Sequence, residues 1–147
     1  MRRVLFGSGR AVWHNPEAVD DEDGTYDAAT RLPCESVSAP VARKFVQGTL
    51  QGWMLDGLTQ SIELLASELV TNALLHARSD VELRLRRFDG RVRLEVSDAS
   101  PAPPRRRDSY GAETVGGHGM LLVEELADDW GVERHRSGKI VWCELSI

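Results

Sequence analysis

Glu68 and Asn72 stand four residues apart in the stretch Ser67-Glu68-Leu69-Val70-Thr71-Asn72-Ala73-Leu74-Leu75-His76-Ala77. On a helix that spacing stacks them one turn apart on a shared face. A carboxylate and a carboxamide at the edge of a core need partners. A hydrated Mg²⁺ carrying a phosphate tail would supply them. The amide oxygen can ligate the hard cation, and the carboxylate can orient a nucleophile. From these two residues alone the plainer reading is the stronger: a helix with Glu and Asn on its wet side. A second feature changes the balance. Gly116-Gly117-His118-Gly119 stands directly before an apolar-periodic segment from Met120 to Ala127. Glycines at that place let backbone N–H groups approach an anion at the positive end of a helix. Many loops contain such a run, so it too is weak by itself.

The elements that must hold these residues can be read from hydrophobic period. Leu58, Ile62, Leu65, Leu69 and Ala73 recur at three- and four-residue steps, drawing one apolar stripe along a helix that opens near Leu58. Before it, Val41, Ala42, Phe45, Val46 and Leu50 form the buried face of a helix from about Ala39 to Trp53, with Ser36 or Ser38 as its N-cap. Tyr26 to Leu32 alternates loosely and predicts an edge strand ending at Pro33. Val81 to Arg86 and Arg91 to Asp98 alternate strictly, joined by the hairpin signal Asp89-Gly90. Trp130 to His135 and Ile140 to Ile147 predict a closing hairpin around Ser137-Gly138. Residues 99–115 carry Pro101, Pro103, Pro104, Arg105, Arg106, Arg107 and Gly111, which predicts a long irregular lid or binding loop.

One strand, two helices, a hairpin, a lid, a helix and a hairpin define an α+β two-layer sandwich, with a mixed sheet covered by helices on one face. The order lacks the alternating strand–helix units of a dinucleotide-binding fold, so the glycines do not belong to that motif. Residues 1–25 contain the acidic run Asp20-Asp21-Glu22-Asp23 and little core material, and are expected to form a flexible extension ahead of a domain at 26–147.

A chain of 147 residues suits one domain with a sizeable core. Hydrophobic residues make up 41% and charged residues 28%, an ordinary globular mix. The net charge of −5 argues against direct nucleic-acid binding. No apolar run is long enough to span a membrane. Cys34 and Cys143 show no metal-ligand spacing and read as reduced thiols in a cytoplasmic protein.

The motif Glu68-Leu69-Val70-Thr71-Asn72-Ala73-Leu74-Leu75-His76-Ala77 resembles the N-box of the GHKL ATPase superfamily. Asp98 resembles the aspartate of its first glycine box, and Gly117-His118-Gly119-Met120-Leu121-Leu122 resembles its second. The match is closer to one bacterial branch, the anti-sigma regulatory factors with serine/threonine kinase activity. It runs from about Pro33 to Leu145 and takes in Ala42-Arg43-Lys44-Phe45-Val46, Trp130-Gly131 and Gly138-Lys139-Ile140-Val141-Trp142. The resemblance implies ATP and Mg²⁺ as ligands, with Asn72 holding the metal and Glu68 as general base. It implies that Asp98 accepts the adenine amino group. Gly117 and Gly119, with the N–H groups of Met120 and Leu121, would hold the phosphates. It further implies a sigma factor or an anti-anti-sigma protein as partner, and allows a homodimer.

Two departures stand out. The first glycine box, Asp-x-Gly-x-Gly in the family, reads Asp98-Ala99-Ser100-Pro101-Ala102 here, and Ile140 stands where many members carry a threonine near the base. Two classes of function are therefore carried forward. One is a kinase acting on a serine of an anti-anti-sigma protein. The other is a non-catalytic module that binds its partner with weak or absent nucleotide binding.

Overall fold

The computed structural model describes residues 25–100 and 119–147. The expected extension and nearly all of the expected lid lie outside them. Among the described residues, five strands and three helices occur in the order β1 (Tyr26–Leu32), α1 (Ser38–Gly52), α2 (Thr59–His76), β2 (Val81–Phe88), β3 (Arg91–Asp98), α3 (Gly119–Leu126), β4 (Asp129–His135) and β5 (Gly138–Ser146). A short 3-10 turn, Asp56–Leu58, replaces the simple break expected before α2.

The strands form one sheet in the order β1-β2-β3-β5-β4, with β1 and β4 at its edges. The two-layer α+β class is as expected, but the mixed sheet is not. All four pairings of the described strands are antiparallel. Tight hairpins account for two of them, β2 to β3 and β4 to β5; β1 with β2 and β3 with β5 are antiparallel across longer connections. At the first hairpin Asp89 and Gly90 both take positive φ, 48° and 70°. That is the backbone a two-residue turn needs to match strand twist.

One face of the sheet is apolar. Val81, Leu83 and Leu85 on β2, Val92, Leu94 and Val96 on β3, and Val141, Cys143 and Leu145 on β5 are all buried. Helices α1 and α2 pack on this face and on each other. From α2 the stripe Ile62, Leu65, Leu69 and Ala73 is buried as the spacing predicts, together with Ala66 and Val70, while Leu58 is half-buried against the same core. From α1 come Ala42, Phe45, Val46 and Leu50. Each such aliphatic or aromatic side chain contributes roughly 1.5–3 kcal/mol relative to exposure. The expected serine cap of α1 is absent. Val37 occupies the cap position, and the Ser38 hydroxyl donates instead to the Pro33 carbonyl at 2.7 Å.

The other sheet face is held by charge. The Arg93 guanidinium donates to Glu95 at 2.8 Å, to Glu133 at 3.1 Å and to Glu144 at 3.2 Å, spanning β3, β5 and β4. It also lies 4.1 Å from the Trp142 ring centroid, close enough for a cation–π contact. Burial alone would lower its pKa, but the surrounding carboxylates outweigh it and raise it. Gly131 lies against the same indole, where a Cβ would stand 2.7 Å from the Trp142 ring.

The two cysteines are free, Cys34 exposed and Cys143 buried. Burial pushes the Cys143 thiol up to about 12, from an ordinary value of 9.0. Iodoacetamide at pH 8 should therefore label one thiol per native chain, Cys34, and two after denaturation. The raised pKa also fixes a sign. The protonated Cys143 favours the fold fully below pH 9.0, and that contribution fades as pH rises towards 12. Cys143 labelling in native protein at the same rate as Cys34 would contradict its placement.

Candidate functional site

The apolar face of α2 determines where its polar residues go. With Leu65, Leu69 and Ala73 against the sheet, Glu68 is half-buried and Asn72 is buried, one turn further along. Asn72 retains 6% of its surface. Its amide makes no hydrogen bond to another described residue, yet it is not among the fully occluded polar atoms that lack a partner. Glu68 likewise has no ion pair or side-chain hydrogen bond among the described residues. Next to it, Ser67 accepts a hydrogen bond from Arg43 of α1 at 3.0 Å, which ties the two helices at the level of the pair.

Helix α3 docks on α2 through the fully buried Val123 and the half-buried Leu122. Its described span opens with Gly119, Met120 and Leu121. The N–H groups of a first turn have no intrahelical acceptor, and they face an anion favourably. Leu121 is 54% exposed and takes no part in the core. Gly117 lies outside the described residues.

Among the described residues no group of three His, Cys, Asp or Glu is placed to hold a metal. The donor set nevertheless fits a Mg²⁺ that keeps most of its ligands as water and phosphate oxygen. One neutral amide oxygen, one carboxylate nearby and a helix N-terminus are what such a tail requires.

Asp98 is placed differently from the other candidates. It continues the buried row Val92, Leu94, Val96 along β3 and so faces the helical layer. Directly opposite on β5 is Lys139, not Ile140, which pairs with Ser97. The Lys139 ammonium donates to Asp98 Oδ2 at 3.0 Å, to Asp98 Oδ1 at 3.1 Å and to the Ser100 carbonyl at 3.3 Å. The Ser100 N–H donates to Asp98 Oδ1 at 2.8 Å. The side chains are 1% exposed for Asp98 and 5% for Lys139. Ile140 is therefore not the residue opposite Asp98, and the carboxylate expected to meet a base already has a protein partner.

Gly138 makes this approach feasible. It has φ 148°, and a Cβ there would run into the Asp98 carbonyl and the Ala99 backbone. Only glycine lets β5 begin so close to the end of β3. Sequence reasoning does not single out Lys139 as a site residue. The signal is present all the same: odd positions 139, 141, 143 and 145 share one strand face, and a lysine on the core face of a strand needs an acid opposite.

Residues 32–145 match the model of the histidine kinase-like ATPase domain. The chain belongs to that family, and ATP is the nucleotide that membership implies. The crystal structure of the RsbU and RsbW domains of Rv1364c from Mycobacterium tuberculosis shares the fold, with a TM-score of 0.64 and 17% identity. The alignment covers 82% of this chain but only 32% of that one. The histidine kinase domain of the Erythrobacter litoralis EL346 blue-light activated histidine kinase is 33% identical over 60% of this chain and 44% of its own, with a TM-score of 0.45. No curated protein matches the sequence. No described helix is long and apolar enough to cross a membrane.

The buried pair has a measurable consequence. Lys139→Met leaves a buried carboxylate without its counter-ion, and should cost about 3–5 kcal/mol in urea unfolding. Asp98→Asn combined with Lys139→Met should recover most of that loss. Additive effects in the double variant would mean the two groups are not coupled.

Proposed function

We propose that this chain is an ATP-dependent anti-sigma regulatory factor that phosphorylates a serine on an anti-anti-sigma partner, and so controls which of the two proteins, sigma factor or antagonist, it holds. The family match and the fold shared with a structure containing an RsbW domain support the reading. The observation that carries it is the pair on α2. A nearly buried Asn72 amide stands one turn from Glu68, and neither side chain has a partner among the described residues.

When bound, ATP with Mg²⁺ supplies the phosphoryl group and the charge that neutralises it. The Asn72 amide oxygen would hold the cation. The first turn of α3 would offer its N–H groups to the phosphates. Glu68 would accept the proton of the partner's serine hydroxyl as that oxygen takes the phosphoryl group and ADP leaves. The negative overall charge and the polar outer sheet face suit a protein partner rather than nucleic acid.

One observation favours the second reading, a partner-binding module with little use for nucleotide. The Asp98 carboxylate that would meet the base is already engaged by Lys139. Two variants separate the readings. Glu68→Gln keeps shape and should bind Mg·ATP as wild type does, while phosphorylation of the cognate serine protein falls by about 10²–10⁴-fold. Asn72→Ala should remove the Mg²⁺ dependence of ATP binding in calorimetry. Full phosphorylation of the true partner by Glu68→Gln would refute the base assignment, and no ATP binding by wild type at millimolar nucleotide would leave only the module.

A further inference from the structure

We infer that Lys139 sets the base preference of the nucleotide site, and that it does so by taking from Asp98 the bonds that a 6-amino purine would make. The inference rests on the nucleotide-binding reading above.

An ammonium carries three N–H donors and no acceptor. Around Lys139 Nζ stand three acceptors, both oxygens of Asp98 and the carbonyl of Ser100, at 3.0, 3.1 and 3.3 Å. Asp98 Oδ1 also accepts the Ser100 N–H. The carboxylate is 1% exposed, so a base cannot reach it unless Lys139 gives way. An amino group at the purine 6-position then brings a donor towards a cation and towards an acid whose bonds are made. A 6-oxo group brings an acceptor, but the three N–H donors of the ammonium are already taken, so neither group gains from the pair. The advantage that a free carboxylate confers on adenine is cancelled, and affinity must come from the triphosphate and its metal.

The choice of lysine fits this role. Only two of the 18 basic residues are lysines, Lys44 and Lys139. The Lys139 ammonium carries three donors, which match the three acceptors around it. Gly138 lies so close to the Asp98 backbone that a Cβ would meet its carbonyl, so β5 starts hard against the end of β3.

ATP and ITP differ on one edge of the base, in the 6-substituent and with it in N1, an acceptor in adenine and an N–H donor in hypoxanthine, which makes them the discriminating pair. Their affinities should be measured by calorimetry with Mg²⁺ on the full wild-type chain and on Lys139→Thr. Wild type should prefer ATP over ITP by less than about threefold, whereas Lys139→Thr, with the carboxylate released, should prefer ATP by about tenfold or more. A wild-type preference for ATP above that limit overturns the inference and leaves the nucleotide site standing. An unchanged ratio in a Lys139→Thr protein with native circular dichroism overturns it equally. If neither nucleotide binds either protein, the nucleotide-binding reading itself fails and the inference with it. The wild-type ratio decides the matter even if the variant does not fold.

Discussion

Burial of one face of α2 against the antiparallel sheet is the constraint on which everything else in this molecule depends. Ile62, Leu65, Ala66, Leu69, Val70 and Ala73 are buried against the sheet and α1. Once they are, the rotation of the helix is set, and Glu68 and Asn72 have no freedom left to choose their position. They fall at the rim of the layer, where a polar group is too buried for bulk water and too open to be silent. The docking of α3 through Val123 onto the same helix then brings a helix N-terminus into the layer that carries the pair. The site is a by-product of core packing: hydrophobic period places the groups, and their chemistry follows from where they are left.

Most of the fold and part of the site are legible in the amino-acid sequence. Strict alternation in β2 and β3, the Asp89-Gly90 turn and the stripe on α2 each have one physical reading, and each is found. The departures share a cause. Residue type points to a serine N-cap on α1, yet Ser38 satisfies Pro33 instead. The resemblance carries the expectation of a mixed sheet, yet every described pairing is antiparallel. Lys139 escapes a local reading because its role depends on β3 and β5 being neighbours, a pairing between residues 41 apart. Local pattern shows which way a side chain points, and only topology shows what it meets.

The Asp98–Lys139 pair and the Glu68–Asn72 pair pull in different directions. The second pair keeps polar groups at the rim with no partner among the described residues, which is costly unless a ligand uses them. The first closes a carboxylate with a counter-ion and a glycine-dependent backbone contact, which removes an acceptor from use. Both are compatible with one molecule if phosphate and metal supply the binding and the base contributes little. That arrangement would also tolerate the loss of the glycines after Asp98, because the Ser100 N–H and the lysine already stabilise that turn.

The central claim is that the Asn72 amide and the first turn of α3 hold a metal–phosphate tail. Side-chain and backbone amide signals in a ¹⁵N-resolved NMR titration with Mg·ATP test this directly. The account predicts saturable shifts of the Asn72 side-chain amide and of the backbone N–H groups of Gly119, Met120 and Leu121, with the outer-face residues Glu133 and Trp142 unmoved. Shifts confined to the outer sheet face, or none at saturating nucleotide, would contradict it.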